Sequence, residues 1–245
     1  MKKLIIVFVT SMLVTKLNAQ TVEPSSGIEK NNIQLELESL YSTQKEGAEK
    51  ITSWSVPSLL LRYGLSKSIE LQLNTPIIKE QLYNDNHLIH SLYKFDDIQL
   101  GFAINLWKQK KILPETSLMF RAIIPVNLKL NTKNIGKILA LNFSHQIDSK
   151  FNFSNNIGYV TEITNKTTGF YISNLTFELN PKVHFFVENF GDFTEKKLIS
   201  SNLNIGAGYN LNSNLSVDIS MANGLNHNLF YVGGVLTWVF NLTKN

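Results

Sequence analysis

Apolar and polar residues alternate with a period of two along most of the chain after residue 31. In one clear example the even positions are apolar and the odd positions are small or polar: Ile98, Leu100, Phe102, Ile104 and Leu106 alternate with Gln99, Gly101, Ala103 and Asn105. Successive side chains of a β-strand point to opposite faces, so this alternation predicts strands with one apolar and one polar face. The chain is therefore predicted to be all-β.

About twelve segments share this pattern, and most of them run for nine to fourteen residues. They lie near 32–43, 51–63, 68–76, 95–106, 114–124, 137–147, 151–162, 169–179, 183–190, 200–210, 215–223 and 229–242. Strands of soluble proteins are usually about five or six residues long, whereas a tilted strand needs about nine to eleven residues to cross a membrane. We therefore expect an antiparallel transmembrane β-barrel of about 12 strands, of the outer-membrane type.

The composition agrees with a barrel and excludes several other classes of protein. Mean hydropathy is −0.04, and charged residues make up 17% of the 245 residues. A disordered chain would carry more charge, and a helical membrane protein would be far more hydrophobic. The chain contains no cysteine, which excludes disulfide scaffolds, cysteine-ligated zinc and thiol catalysis.

Residues 1–19 have the pattern of a secretory signal peptide. A Met-Lys-Lys start precedes the apolar stretch Leu4–Val14, which is too short to span a membrane, and Ala19 is the expected cleavage position. Residues 20–245 are then the barrel domain. The peptide carries three lysines, so its removal lowers the net charge from +4 to +1. This argues against a nucleic-acid partner, which would require a basic patch.

Tight turns and longer connections alternate along the predicted strands. Four turns share one form, in which a ring residue and an apolar residue precede three turn-forming residues; they lie at 63–69, 145–151, 177–183 and 209–215. The other connections are mostly longer, and 75–94 is the longest of them. Short connections on one side and long ones on the other are typical of outer-membrane barrels, whose tight turns and chain ends lie in the periplasm.

Several sequence blocks occur in the order found in one family of outer-membrane proteins. Residues 57–71 contain a P-x-L-L-x-R-Y-G-L-x-x-x-x-E-L block, and Asp97 begins a D-I-x-L-G block. Further blocks lie at 113–118, 124–125, 187–191, 204–209 and 217–225. Together they resemble the outer-membrane "transporter" family, also labelled "putative meta-pathway of phenol degradation". This resemblance implies an outer-membrane barrel that passes small solutes, hydrophobic or aromatic molecules among them.

Six charged residues are predicted to face the lumen of the barrel. They are Arg62, Glu70, Asp97, Arg121, Glu188 and Asp218. Charges that line a pore tune its selectivity, and in a narrow barrel they also pair with one another. Both roles, solute contact and structural ion pairing, stay open at this point. Pro57 lies in the second predicted strand, where its missing N–H requires a β-bulge.

The sequence predicts neither a catalytic site nor a metal site, and no motif points to a cofactor. Ser144 and His145 are adjacent, so on a strand they face opposite sides and cannot form a catalytic dyad. Asp85, His87 and His90 lie in the long connection, where solvated histidines are the simpler interpretation. We therefore expect a protein that is not an enzyme.

Aromatic residues lie near the ends of many predicted strands, where they suit a membrane–water interface. They are Tyr41, Tyr63, Trp107, Tyr159, Tyr171, Tyr209, Tyr231 and Trp238. The last strand contains Phe240 close to its end, which resembles the aromatic-ended strand read by the barrel assembly machinery. Outer-membrane lipid, that machinery and a small-molecule solute are the expected partners.

The sequence favours a passive pore or transporter in the outer membrane of a Gram-negative bacterium. A non-conducting structural or adhesion barrel that binds partners through its long extracellular loops is the alternative. A barrel lipase would need a serine and a histidine on one outer strand face, and the sequence offers no such pair. A soluble β-sandwich has no physical reason to place all its short connections on one side.

Overall fold

The computed structural model describes residues 22–126 and 135–242, so the predicted signal peptide lies outside the described residues. Fourteen strands are present in this part of the chain. They are β1 (Asn32–Glu46), β2 (Glu49–Gly64), β3 (Ile69–Asn84), β4 (His87–Phe95), β5 (Ile98–Trp107), β6 (Glu115–Ile124), β7 (Gly136–Gln146), β8 (Phe151–Thr161), β9 (Thr167–Asn180), β10 (Val183–Thr194), β11 (Lys197–Leu198), β12 (Asn202–Asn212), β13 (Leu215–Gly224) and β14 (Asn228–Asn241). Among the described residues, no helix is long and apolar enough to span a bilayer.

Twelve of the strands close into one antiparallel barrel. The ring runs β1-β2-β3-β5-β6-β7-β8-β9-β10-β12-β13-β14, and β14 pairs with β1 from Asn32↔Asn241 to Lys45↔Asn228. The short partners β4 and β11 pair with the outer parts of β3 and β10. Each of the twelve predicted segments overlaps one barrel strand, so the predicted fold is confirmed.

Burial in the barrel wall is inverted relative to a soluble protein. On β7, Asn142 is 1% exposed and Ala140 is 2% exposed, whereas the neighbouring Leu139 and Leu141 are 49% and 38% exposed. Other strands expose apolar side chains in the same way, among them Leu71, Leu100, Phe102, Phe153, Ile157, Val187, Ile205 and Met221. In water, apolar surface costs about 25 cal/mol per Å². A belt of lipid removes that cost, which explains why the apolar face of each strand points outward.

The tight turns, the start of β1 and the end of β14 lie on one rim of the barrel, called here the turn rim; the opposite rim is the loop rim. In the turn after β7, Asp148 Oδ1 accepts hydrogen bonds from the N–H groups of Lys150 and Phe151 at 2.7 and 2.9 Å. These two bonds hold the pKa of the Asp148 carboxyl below its usual range. Asn180 makes the same pair of bonds in the turn after β9. The predicted turn form is therefore present in the structure.

Two of the connections predicted to be long are strands rather than loops. β1 and β2 continue to a turn at 47–48, and the outer half of β3 pairs with β4. We call this extension the projecting wall (residues 40–46, 49–55, 77–84 and 87–95). Its period-two pattern is weak because its outermost residues, such as Lys45, Glu46, Asn84 and His87, are exposed on both faces. The register shift between Ser55 and Ser58 confirms the β-bulge predicted at Pro57.

Candidate functional site

Residues 22–31 lie inside the barrel and form an inner segment that crosses it. The N–H of Val22 donates to Glu188 Oε2 at 3.3 Å, and the N–H of Ile28 donates to Glu70 Oε2 at 2.9 Å. Glu188 belongs to β10 and Glu70 to β3, which stand on opposite sides of the twelve-stranded ring. The segment therefore passes through the lumen before β1 begins.

Side chains of the wall hold the inner segment at several further points. Arg121 Nη2 and Glu23 Oε1 form an ion pair of 2.5 Å. Asn156 accepts a hydrogen bond from the Glu23 N–H at 2.7 Å and donates one to its carbonyl oxygen at 2.8 Å. Asn105 donates to the carbonyl oxygen of Ser25 at 3.0 Å. The path of the segment is thus set by polar side chains on five strands of the barrel: β3, β5, β6, β8 and β10.

A buried charge network lies on the wall beside the inner segment. Glu70 Oε1 accepts hydrogen bonds from Arg62 Nε and Nη2 at 2.9 and 2.7 Å, and from Gln72 Nε2 at 2.6 Å. Gln72 Oε1 accepts from Arg121 Nε at 2.7 Å. All four side chains belong to residues that are at most 6% exposed, where screening by salt is weak. The network unites three of the six residues predicted to face the lumen.

Strand register and one glycine bring this network together. Arg62 on β2 lies opposite Gln72 on β3, and Gly101 on β5 lies in register between Gln72 and Arg121. A Cβ atom at Gly101 would lie 2.7 Å from Arg121 Cγ. Glycine at this position therefore allows the arginine to reach across a whole strand to Gln72.

Glu188 lies on the opposite wall and is surrounded by amides. Its Oε2 accepts a hydrogen bond from Asn174 Nδ2 at 3.2 Å, in addition to the one from Val22, and its Oε1 accepts from Asn204 Nδ2 at 3.4 Å. Glu188 is 1% exposed. Within the described part of the chain, no basic side chain forms a salt bridge with it. Its carboxylate is therefore held by neutral donors.

The other two predicted residues lie apart from these groups. Asp218 Oδ1 contacts His184 Nε2 at 2.7 Å, and Gly208 lies between them in the register of β10, β12 and β13. Asp97 is half-buried and precedes β5 at the loop rim. The six predicted residues thus form separate groups along the barrel rather than one site.

Two parts of this arrangement were not predicted from the sequence. No role was expected for the inner segment, and none for His184. His184 and Glu188 are four residues apart on β10, so their side chains point to the same face. This spacing was the signal that could have placed His184 on the lumen side.

An apolar layer lies inside the barrel, and on β7 and β9 its members lie nearer the loop rim than the amides. Its members are Leu40, Ala103, Met119, Ile138, Ala140, Phe170, Ile172, Phe190, Ala222 and Tyr231. β7 and β9 both run from the loop rim to the turn rim; Ile138 precedes Asn142 on β7, and Phe170 precedes Asn174 on β9. Along these two strands, a solute that entered from the loop rim would meet the apolar side chains first and the amides second.

Tyr231 was predicted to be an interface anchor, and the structure corrects this prediction. The residue is 3% exposed and packs inside the barrel, with its ring centroid 6.0 Å from that of Phe190. It is paired in register with Ser42 and Ala222, which are buried on the same inner face. The preceding Phe230 takes the outward position.

The structure agrees with the expected separation of the residues considered for catalysis. The Ser144 hydroxyl joins the hydrogen bonds of the inner wall, and His145 is the next residue of β7, on the outer face. Asp85, His87 and His90 are exposed on the hairpin of β3 and β4. Across residues 22–126 and 135–242, no group of three His, Asp or Glu side chains is placed to hold a metal ion.

Residues 25–228 match the family described as "Putative MetA-pathway of phenol degradation". The chain belongs to this family. The sequence blocks of the chain resemble those of this family and occur in the same order. The match confirms that resemblance. No curated protein matches the chain.

Solved outer-membrane barrels are similar to the chain in fold. An outer membrane channel from Pseudomonas putida F1 has 10% identity and a TM-score of 0.67, with 90% of this chain and 100% of that chain covered. The KdgM porin in complex with disordered oligogalacturonate has 7% identity and a TM-score of 0.52, with 84% and 99% covered. The transport unit of the autotransporter AIDA-I from Escherichia coli has 11% identity and a TM-score of 0.53, with 86% and 90% covered. At these identities the likeness establishes the fold.

Proposed function

We propose that the chain is a passive pore for small solutes in the outer membrane of a Gram-negative bacterium. One observation carries the proposal: the closed barrel has an apolar outer face, suited to contact with lipid, and a polar, charged inner wall. A barrel that served only as a scaffold would have little use for buried charges, because apolar residues of similar volume in their place are often as stabilising or more so. The fold likeness to an outer membrane channel supports the same proposal.

Two layers of the lumen suggest which solutes the pore takes. The apolar layer around Phe170 and Phe190 would receive the hydrophobic or aromatic part of a molecule. The charge network at Arg62, Glu70 and Arg121 lies beside this layer on another part of the wall and would contact the polar group of the solute, and Glu188 would accept its hydrogen-bond donors. Asp97 near the loop rim and Asp218 on β13 would act at other depths of the lumen. In this proposal no residue has a catalytic role.

The inner segment would set the width of the path. It occupies part of the lumen and is held by the ion pair between Arg121 and Glu23. A shift of this segment would widen the path without any change in the barrel itself. This gives the charges on the wall a second role, beyond contact with the solute.

Conductance of the full chain in planar bilayers tests the proposal. We expect discrete current steps, and we expect larger steps from a variant that lacks residues 22–30. Liposomes that carry the protein should take up benzoate faster than liposomes without it. If both proteins insert as folded barrels, which migrate faster on a gel before boiling than after it, and neither conducts, the proposed pore function is wrong. That outcome would support the alternative of a structural or adhesion barrel, for which the projecting wall offers a surface.

A further inference from the structure

Three lysines share the outward side of the projecting wall. Tyr41 and Lys45 of β1 lie between the bulge and the loop rim. They are four residues apart on one strand, so both side chains point to the outward face. The register places Lys45 opposite Lys50 on β2. On β3, Lys79 lies between Trp54 and Tyr93 in register. No salt bridge of these lysines is found among the described residues.

Acidic residues of the same strands have the opposite parity. Glu46 follows Lys45 on β1, Glu49 precedes Lys50 on β2, and Glu80 follows Lys79 on β3. Because neighbouring residues of a strand point to opposite faces, these three carboxylates face inward and the three lysines face outward. The outward side of the wall is therefore cationic, whereas the inward side carries these three carboxylates and one lysine, Lys94, which pairs with Asp96 at 3.2 Å.

The height of the lysines matches the outer edge of a bilayer. Tyr41 is the tenth residue of β1, and a tilted strand crosses the hydrocarbon core in about nine to eleven residues. Tyr41 and Trp54 are in ring contact, with centroids 4.4 Å apart, and Tyr93 is 72% exposed. Aromatic rings favour the headgroup level of a membrane, so the lysines stand at that level or just beyond it.

Lys45 and Lys50 are directly opposite across the ladder of β1 and β2. Like charges in this position repel each other and destabilise the pair of strands. An anion bound between the two ammonium groups would turn this repulsion into attraction. The lysine is well suited to that task, since its ammonium group binds phosphate as a point charge.

We propose that the outward side of the projecting wall binds phosphate groups of an outer-leaflet glycolipid, through Lys45, Lys50 and Lys79. The continuity of these lysines with the apolar outer face of the barrel favours a lipid phosphate over a free one. The aromatic side chains beside them would contact the sugar and upper acyl region. The inference rests on the outer-membrane location in the proposed function, but it requires no conductance.

Binding of purified lipid A to the full chain in detergent tests the proposal by native mass spectrometry. The probe is diphosphorylated lipid A, and its dephosphorylated form is the reference. The test variant carries Lys45→Gln, Lys50→Gln and Lys79→Gln. The control carries Lys67→Gln, Lys150→Gln and Lys182→Gln, which remove three exposed lysines at the turn rim.

We expect the unmodified protein and the control to prefer diphosphorylated lipid A, and we expect the test variant to bind it about 10- to 100-fold more weakly. Equal binding by test variant and control would overturn the proposal, as would equal binding of both lipid forms. Competition by millimolar inorganic phosphate as strong as that by lipid A would also overturn it. The proposed pore fails separately, through the absence of current steps or of outer-membrane fractionation.

Discussion

Arg121 on β6 and Glu23 in the inner segment form an ion pair of 2.5 Å that joins the barrel wall to the chain inside it. The same guanidinium donates through Nε to Gln72 at 2.7 Å, so its position is fixed by the wall. Charge-assisted hydrogen bonds are about twice as strong as neutral ones. The place of the inner segment in the lumen therefore depends on one arginine more than on any neutral anchor.

Removal of the Arg121 charge should release the inner segment. Ser25 is 2% exposed in the segment, and the chain has no natural cysteine, so a Ser25→Cys variant offers a single thiol. When Arg121→Gln is added to this variant, we expect the thiol to react about tenfold faster with a water-soluble maleimide. The reason is that hydrogen bonds to charged groups contribute about 1.5–3 kcal/mol. Mass spectrometry of the protein in liposomes measures the rate.

The reciprocal change supplies the control for this prediction. Glu23→Gln should accelerate labelling of the same thiol as much as Arg121→Gln does. The two changes together should add little, because they remove the same interaction. Unchanged labelling after Arg121→Gln would show that the neutral hydrogen bonds hold the segment without the ion pair.

Strand parity accounts for most of what the sequence could predict. Because the inner and outer faces meet different solvents, the alternation was strong enough to locate twelve strands and to place Glu70 and Arg121 toward the lumen, whereas the strand of Arg62 does not alternate cleanly. The tight turns were predictable for a similar reason, since Asp148 and Asn180 bond to their own backbone within three residues. These features depend on local sequence and on the period-two alternation of the strands.

The features that were not predicted depend on long-range contacts or lie where both faces of a strand are exposed. The inner segment has no periodic pattern, and its place comes from partners far along the chain, such as Asn156 for Glu23. The outermost residues of the projecting wall are exposed on both faces, so they carry little apolar alternation. Tyr231 was misplaced because an aromatic residue near a strand end suits an interface as well as it suits a lumen.

Glu70→Gln should destabilise the barrel strongly. Glu70 Oε1 accepts three hydrogen bonds, two of them from Arg62, and both residues are 1% exposed. The change leaves the guanidinium of Arg62 without its main partner, and a broken buried ion pair typically costs about 3–5 kcal/mol. Unfolding by guanidinium chloride in lipid vesicles measures the free energy of unfolding. Lys108→Gln is the control, because the Lys108 side chain is 64% exposed and such pairs contribute about 0–1 kcal/mol. A loss of equal size in the two variants would contradict the role given to the buried pair.

A charge on the outward face should cost more at the middle of the wall than near the turn rim. Leu141 lies in the middle of β7, and Leu179 is next to the last residue of β9. We expect Leu141→Arg to lower the free energy of unfolding in vesicles by about 2–4 kcal/mol, and Leu179→Arg by about 0–1 kcal/mol. An equal cost at both positions would mean that the outer face does not contact the hydrocarbon core.

Gly208→Ala should separate His184 from Asp218. Gly208 lies between the two residues in register, and a Cβ atom there would overlap both His184 Cε1 and Asp218 Oδ1. Adding a methyl group at a filled position typically costs about 1–3 kcal/mol, so the free energy of unfolding should fall by that amount. The same substitution in a His184→Ala background should cost less, because the imidazole that the methyl group meets is gone. The difference between the two backgrounds isolates the contact with the pair, and an equal cost in both would assign the effect to the backbone of the neighbouring strands instead.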